Sequence, residues 1–298
     1  MAVSEGKVGE VAENAEAIEA WDGVLFDRWV KYRHIFVNGL AAHGEEALRL
    51  HPPQPGDRVV DLGCGLGDTT VRIAELVGPD GECVGVDSGA RFIEQAREEA
   101  AKEDVENASF EVADVEAEVP GSDYDRAFSR MGTMFFNNPV AALRNVRAVL
   151  KPGGTLSMVV WRQKPDNDWV HRAELIAQRY LSHPDETNEP TCGPGPFSMA
   201  NADTTSGILR SAGYEEIALT RCDLPIFVGK DADEAIEVAV ALGPAAELIR
   251  INEERGEELR PKIEAEIRDE VMSGFERPDG TIWGGASTWI VSARVPAA

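Results

Sequence analysis

The sequence predicts an α/β protein with a parallel sheet that is covered by helices on both faces. Between Arg58 and Trp161, short apolar segments of strand length alternate with amphipathic segments of helix length, which is typical of repeated β-α-β units. Three prolines in "HPPQPGD" end the preceding helical pattern just before this alternation begins. The crossovers between parallel strands are expected to be right-handed, with helices on both faces of the sheet.

Each element of this region follows from a short stretch of sequence. The predicted strands are, in order, "RVVDLG", "ECVGVD", "ASFEVAD", "YDRAFSR" and "TLSMVVW". The predicted helices are "DTTVRIAELVG", "ARFIEQAREEAAK" and "PVAALRNVRAVL", the last of which is ended by "KPGG". After Trp161 the pattern predicts helices in "NDWVHRAELIAQRYL" and "ADTTSGILRSAGY", strands in "EEIALTRC" and "ASTWIVSARV", and three helical stretches from Asp231 to Gly274.

Composition argues against several classes of function. The 298 residues carry a formal net charge of −24 and 43% hydrophobic residues. Such a field repels phosphate backbones and anionic membranes but attracts a cationic ligand. The four cysteines form no CxxC pair or Cys/His cluster, so we expect neither a metal site nor a disulfide framework.

The N-terminal stretch is acidic and has no apolar run, and no segment approaches the roughly 18 apolar residues that would span a bilayer. We therefore expect a cytoplasmic protein that binds neither nucleic acid nor membrane. The sequence does not indicate an oligomeric state.

The stretch "VVDLGCGLGDTT" carries the main functional signal. Gly63, Gly65 and Gly67 follow the first predicted strand and precede a helix, which is where ligands bind in open α/β sheets. Glycine permits backbone angles that other residues avoid and lets a ligand approach the main chain. The free N–H groups of the following helix can receive a carboxylate or a phosphate.

Two ligand classes compete for this motif. A dinucleotide requires G-x-G-x-x-G, but Asp68 stands where the third glycine is needed, and Asp61 lies outside that pattern. Both acids fit S-adenosylmethionine, whose carboxylate can meet the helix N-terminus while its ammonium meets carbonyls and Asp61. A dinucleotide-dependent oxidoreductase and a non-catalytic cofactor-binding module are the alternatives.

The ends of the later strands supply groups for the rest of this cofactor. Asp87 can accept hydrogen bonds from both ribose hydroxyls, and Asp114 can accept one from the adenine amino group while the Val115 N–H donates to the ring. Phe92 can cover one face of the adenine. The residues after the fourth strand, expected under the sulfonium, are Ser129, Arg130 and Met131.

This ordered set of motifs resembles the class I S-adenosylmethionine-dependent methyltransferases. "VVDLGCGLG", "GVD", "ADVE" and "LKPGGTL" occur in the family's order and at its usual spacings. "SRMGTMFFNNPVAALRNVRAVLKPGGTLSMVVW" resembles the small-molecule branch, with ubiquinone/menaquinone-type and natural-product methyltransferases. The resemblance implies a Rossmann-like sheet of seven strands whose last strand, for which "ASTWIVSARV" is the candidate, runs antiparallel. The stretch "DSGARF" departs from the more hydrophobic loop that the family often has there.

The predicted cofactor site comprises Asp61, Gly63, Cys64, Gly65, Gly67, Asp87, Ser88, Phe92, Asp114, Val115, Ser129, Arg130 and Met131. The acceptor is expected to be a small apolar or aromatic molecule, and the candidates for its pocket are Trp21, Trp29, Tyr32, Phe135, Trp169, His171, Phe197, Met199 and Trp283. The N-terminal aromatic residues could equally form the core face of a helix.

No residue stands out as the catalytic base, and His171 is the one weak candidate for it. The reaction would then depend mainly on in-line positioning and on the exclusion of water. We expect residues 1–52 to form an N-terminal helical segment and residues 53–222 with 286–298 to form the cofactor-binding core. Residues 223–285 are expected to form a helical insertion that caps the acceptor pocket with the N-terminal segment.

Overall fold

The computed structural model describes residue 15 and residues 18–103, 105–182 and 195–297. Seven strands form one sheet in the order β3-β2-β1-β4-β5-β7-β6. Strands β1 to β5 run parallel to one another, whereas β7 runs antiparallel to both β5 and β6. The predicted fold class, with an antiparallel last strand, is therefore confirmed. The strands are β1 Arg58–Leu62, β2 Glu82–Asp87, β3 Ala108–Val112, β4 Tyr124–Arg130, β5 Leu150–Trp161, β6 Glu215–Gly229 and β7 Ile282–Arg294.

Helices flank this sheet and also cover its carboxyl end. Within the described ranges they are α1 Phe26–Lys31, α2 Gly39–Leu50, α3 Asp68–Val77, α4 Ala90–Ala100, α5 Pro139–Val149, α6 Asp168–Ala177, α7 Ala202–Ala212, α8 Ala232–Ala241, α9 Pro244–Ile251 and α10 Glu253–Glu270. Short π-helical turns at Trp21–Leu25 and His34–Asn38 join the N-terminal helices. None of the helices in the described part of the chain has the length and apolar character needed to cross a membrane.

Side-chain caps and prolines start several helices where the sequence places them. The Asn138 side chain accepts a hydrogen bond from the Ala141 N–H at 3.0 Å, and Pro139 occupies the first turn of α5. Asp231 caps α8 in the same way, through the Glu234 N–H at 2.9 Å. These local hydrogen bonds satisfy backbone donors that a helix start leaves open.

The sheet edge beyond β5 differs from the sequence prediction in two places. "KPGG" lies within β5 rather than in a turn, because the register against β4 jumps from Tyr124↔Leu150 to Arg126↔Thr155 and a bulge absorbs the extra residues. Strands β6 and β7 pair from Glu215↔Arg294 to Gly229↔Ile282, so both are longer than predicted. Helices α8 to α10, which lie between these strands, begin at Ala232 and end at Glu270.

The inserted helices pack on the same core as the sheet. One continuous cluster of buried apolar side chains includes Val60 of β1, Leu248 of α9 and Ile263 of α10. Helix α9 contacts α6, and α8 contacts β6. The insertion is thus anchored to the carboxyl half of the sheet by apolar burial, the main stabilising term in folding.

The Gly67→Ala variant tests how tightly the glycine loop is packed. Gly67 has φ of +83°, and a Cβ atom there would lie 2.6 Å from Cε1 of Phe110. Gly56 is a matched control, because it has φ of +85° but open space around its Cβ position. Gly56→Ala should lower the free energy of unfolding by roughly 1–2 kcal/mol from backbone strain alone. Gly67→Ala should lose about 1–3 kcal/mol more from overpacking in urea unfolding, whereas equal losses would contradict the packing role.

Candidate functional site

A cleft of about 130 Å³ opens at the carboxyl ends of β1 to β4. It brings together residues from four strand ends that lie far apart in the sequence. The predicted cofactor residues that line it are Gly63, Gly65, Asp87, Ser88, Phe92, Asp114, Val115, Arg130 and Met131. Asp61 and Cys64 line a small adjoining cavity of about 30 Å³.

The loop after β1 is shaped by hydrogen bonds to β2. The N–H groups of Gly63 and Cys64 donate to the Val86 carbonyl at 2.8 and 3.1 Å, so the chain turns back over the sheet edge. Gly65 has φ of +55°, and no atom lies within 4 Å of the position that a Cβ would take. Glycine is therefore required here by the backbone angle and not by protein packing, and its open side leaves the main chain accessible from the cleft.

Asp87 is the best-oriented carboxylate of the cleft. Its Oδ2 accepts the Gly65 N–H at 3.0 Å, and its Oδ1 accepts the Gly89 N–H at 2.9 Å. Burial raises the pKa of Asp87, while these backbone donors oppose the rise. Each carboxylate oxygen has a second lone-pair direction, so the group can still accept hydrogen bonds from a ligand.

Asp61 is buried behind the glycine loop. The Thr70 hydroxyl donates to its Oδ2 at 2.8 Å. Burial raises the pKa of Asp61 to about 7, with the Thr70 hydrogen bond and the Arg130 charge opposing the rise. A carboxyl group with such a pKa changes its charge near neutral pH, and a cation placed beside it would favour the ionised form.

Arg130 lies between the two cavities and forms an ion pair with Asp68, the residue that stands in place of the third glycine of a dinucleotide motif. Its Nη2 donates to Oδ2 of Asp68 at 2.6 Å, and Arg130 lines both cavities. The next residue, Met131, has φ of +62°, an uncommon angle for a side chain other than glycine. Its N–H donates to the Val159 carbonyl at 2.9 Å, which ties this loop to β5.

The loops after β3 and β4 are joined by a residue that the sequence analysis did not single out. Glu116 lines the cleft, and its carboxylate accepts the N–H groups of Asn137 and Asn138, each at 2.7 Å. Asp114 accepts the Glu116 N–H at 2.9 Å. Glu116 stood within the "ADVE" motif, but only the folded structure shows that it bridges two loops.

Two predicted cofactor residues lie outside both cavities. Ser129 is fully buried and donates its hydroxyl hydrogen bond to the Leu62 carbonyl at 2.8 Å, so it joins β4 to β1. Gly67 faces Phe110 and Ala96 and serves packing. Cys64 borders the smaller cavity, but burial raises the pKa of its thiol well above the usual range. Ser129 and Gly67 therefore stabilise the glycine loop through packing and hydrogen bonding. The Cys64 thiol stays protonated at neutral pH, so it does not act as a thiolate nucleophile.

The N-terminal segment, residues 18–38, covers the aromatic side of the cleft. Trp21, Trp29 and Phe135, which were predicted for the acceptor pocket, line this cleft. The ring centroid of Trp21 lies 4.9 Å from that of Phe135 and 6.4 Å from that of Phe92. Trp21 therefore narrows the cleft below the roughly 300–1,000 Å³ that small-molecule sites usually have.

Arg91, at the start of α4, fastens this segment in place. Its N–H donates to Oδ1 of Asp22 at 2.7 Å, and its Nη2 donates to Oδ1 of Asp27 at 2.7 Å. The guanidinium also lies 4.1 Å from the ring centroid of Phe26. Because Arg91 is four residues after Asp87, the covering segment is attached directly beside the cleft.

The other acceptor-pocket candidates are dispersed. Phe197 lines a second cavity, of about 800 Å³, formed with helices α6, α8 and α9. Tyr32 is buried and donates its hydroxyl hydrogen bond to Glu237 at 2.9 Å, which attaches the N-terminal segment to α8. His171 lies 3.5 Å from the buried Glu174 carboxylate. The candidates that line neither cavity are Tyr32, Trp169, His171, Met199 and Trp283.

Three of these candidates make their contacts elsewhere in the described structure. Trp169 and Met199 are buried in the core, and Trp283 packs between Phe227 and the guanidinium of Arg277. Aromatic and sulfur-containing side chains favour core and pocket alike, so their type alone could not separate the two. Within the described residues, no group of three or more His, Cys, Asp or Glu side chains could hold a metal ion.

Comparisons with known proteins agree with this geometry. The family described as a methyltransferase domain matches residues 53–202, which is 150 of the 298 residues. The chain is 31% identical over 127 residues to the aklanonic acid methyltransferase DauC of Streptomyces sp. (strain C5), covering 42% of this chain and 58% of that protein. It is 33% identical over 128 residues to the ubiquinone/menaquinone biosynthesis C-methyltransferase UbiE of Pseudomonas paraeruginosa, covering 42% of this chain and 50% of that protein. The chain thus spans about half the length of the curated relatives it matches.

Solved structures show the same fold. A putative methyltransferase from Bacillus halodurans superposes with a TM-score of 0.54 at 16% identity, covering 86% of this chain and all of that one. The phosphoethanolamine N-methyltransferase 2 of Haemonchus contortus, solved with S-adenosyl-L-methionine, superposes with a TM-score of 0.56 at 15% identity, covering 93% of this chain and 59% of that one. With half of its residues matched by the family and a glycine loop set among strand-end carboxylates, the chain belongs to the class I S-adenosylmethionine-dependent methyltransferases.

Proposed function

We propose that this protein transfers a methyl group from S-adenosylmethionine to a small apolar or aromatic molecule. The observation that carries the proposal is the convergence of Asp61, Asp87 and Asp114 on the glycine loop at Gly65. The named relatives, which act on aklanonic acid and in ubiquinone/menaquinone biosynthesis, support a small-molecule acceptor. The dinucleotide alternative has no support among them.

The residues present fit the parts of this cofactor. Asp87 would accept hydrogen bonds from the ribose hydroxyls, since its carboxylate is already aimed by the Gly65 and Gly89 N–H groups. Asp114 and the Val115 N–H would receive the adenine, and Phe92 would pack on its ring. Bound there, the cofactor supplies a methyl group that its sulfonium has already activated.

Charge favours the ligand's cationic end. Asp61 would meet the ammonium group, and the rise in its pKa to about 7 means that ligand binding would drive a proton off this carboxyl. The negative charge of Asp68 is already matched by Arg130, so Asp68 does not compete with Asp61 for the ligand. The net charge of −24 adds a long-range attraction for a cation.

Positioning and dehydration would supply most of the catalysis. Trp21, Trp29 and Phe135 border the cleft and would keep water from the methyl group while the acceptor is held in line with it. No histidine of the described residues lines this cleft, so a general base for an oxygen or carbon acceptor stays unassigned. The predicted domain division, with a cap over the acceptor, remains part of this proposal.

The Asp87→Asn variant tests the cofactor site. Removing the charge that would bind the ribose hydroxyls should weaken S-adenosylmethionine binding by about tenfold or more, measured by calorimetric titration. Asp80→Asn is the matched control, since Asp80 is an exposed turn residue at the opposite end of the sheet and should keep wild-type affinity. An unchanged affinity in Asp87→Asn would remove the central support for the proposal.

The pH dependence of binding tests the role of Asp61. Its pKa of about 7 in the free protein means that the carboxyl is protonated below this pH and must ionise to pair with the ligand's ammonium. Affinity for S-adenosylmethionine should therefore rise from pH 6 to pH 8, with proton release detected by titration in buffers of different ionisation enthalpy. Asp61→Asn should flatten the profile over this range; a profile that keeps the wild-type slope would show that another group titrates.

Methyl transfer itself is tested by an acceptor screen. The full chain is incubated with S-adenosylmethionine and a library of apolar and aromatic acceptors, and S-adenosylhomocysteine formation is measured. We expect turnover with at least one acceptor class and none without an acceptor. Tight cofactor binding with no turnover across the library would instead favour the non-catalytic cofactor-binding module.

A further inference from the structure

The cavity of about 800 Å³, here called the chamber, is large enough for a small organic molecule, whereas the cofactor cleft is not large enough for two. Its walls are mostly apolar and come from the N-terminal segment, the turn at Phe197, and the helices of the insertion. Leu25, Phe197, Val240 and Leu242 represent the three sources. An apolar molecule placed there would be stabilised by burial of its surface.

The chamber and the cleft share two walls. The N-terminal segment presents Trp21 and Trp29 to the cleft and Leu25 and Arg28 to the chamber. A molecule bound in the chamber would therefore contact the same segment that covers the cleft.

The second shared wall is the turn that carries Phe197. The Ser198 hydroxyl donates to the Met134 carbonyl at 2.5 Å, and the Gly195 N–H donates to the same carbonyl at 3.3 Å. Met134 is adjacent to Phe135, which lines the cleft. The chamber is thus built on the loop after β4, at the same end of the sheet as the glycine loop.

Among the described residues, four cationic side chains line the chamber, and three of them form ion pairs with acids. Lys164 pairs with Glu174 at 2.7 Å, Arg250 with Glu247 at 2.5 Å and Arg260 with Glu257 at 2.7 Å. Within the part of the chain that the structure describes, the Arg28 guanidinium forms no hydrogen bond or ion pair. The remaining positive charge at the chamber wall is therefore that of Arg28.

We infer that the chamber seats the methyl acceptor and that the acceptor carries a carboxylate bound by Arg28. A planar guanidinium can bind a carboxylate through two parallel hydrogen bonds, which fixes both the position and the orientation of the ligand. In a protein of net charge −24, an anionic ligand needs such a local positive charge to overcome the surrounding field. The inference rests on the proposed function and makes Arg28 a specificity-determining residue for it.

The test compares two probes that differ in charge and little in shape, 2-naphthoate and 2-naphthamide. Their binding to the full chain is measured by tryptophan fluorescence in the presence of saturating S-adenosylhomocysteine. We expect 2-naphthoate to bind about fivefold more tightly, as for an exposed ion pair, and Arg28→Gln to abolish the difference. The matched variant Arg49→Gln, which removes an exposed cation that pairs with Glu46 and lines neither the cleft nor the chamber, should keep the preference for the carboxylate.

A second variant locates the probes. Leu242→Trp places a larger side chain in the chamber and should weaken binding of both probes, measured by calorimetric titration, while its thermal midpoint and its affinity for S-adenosylmethionine confirm that the chain is folded. Equal affinity for the two probes, absence of binding, or affinities that Leu242→Trp leaves unchanged would each overturn the inference. Calorimetric titration of the wild type with S-adenosylmethionine distinguishes failure of this inference from failure of the proposed function. If S-adenosylmethionine binds but the probes show no carboxylate preference, only the inference is wrong. If S-adenosylmethionine does not bind, the proposed function is wrong.

Discussion

The pair of backbone hydrogen bonds that Asp87 accepts is the contact on which the cleft depends. Gly65 lies after β1 and Gly89 lies after β2, so one carboxylate joins the loops that follow two neighbouring strands. Such an arrangement needs a residue without a side chain at Gly65, because a positive φ and an open approach coincide there. The hydrogen bonds therefore fix both the orientation of the Asp87 carboxylate and the conformation of the glycine loop at Gly65.

Burial of the Asp61 and Asp87 carboxylates is energetically unfavourable, and their hydrogen bonds offset this penalty only in part. Burial raises the pKa of both Asp61 and Asp87, since a charged carboxylate loses hydration in the interior. Thr70 and backbone N–H groups compensate only in part. Because burial raises the pKa of Asp61 from 3.8 to about 7, the protonated carboxyl stabilises the folded chain at low pH, and this stabilisation is lost as the pH rises from about 4 to about 7. A cationic ligand would favour the ionised carboxylate, which couples cofactor binding to the stability of the fold.

The N-terminal segment converts an open sheet edge into an enclosed site. It is attached to α4 by Arg91 and to α8 through Glu237, so it spans from the cofactor-binding core to the insertion. Both attachments include exposed or half-exposed ionic groups, which individually stabilise little and weaken in salt. The buried apolar side chains of Phe26, Tyr32 and Ile35 therefore supply the larger part of the segment's attachment.

The fold class, the order of the strands along the chain and the acids at the strand ends could be predicted from sequence patterns. Hydrophobic periodicity and glycine spacing are local properties, so they can be recognised without knowledge of distant contacts. The folded structure was needed to show that Ser129 and Gly67 serve packing, that Glu116 bridges two loops, and that Trp21 rather than Trp169 faces the cleft. Those outcomes depend on which side chains meet across elements that are distant in the sequence, as for Glu116 and Asn137, which are 21 residues apart, and for Ser129 and Leu62, which are 67 residues apart. Residue type alone carries no information about such a meeting, because the same aromatic or hydroxyl group is stable in a core and in a pocket.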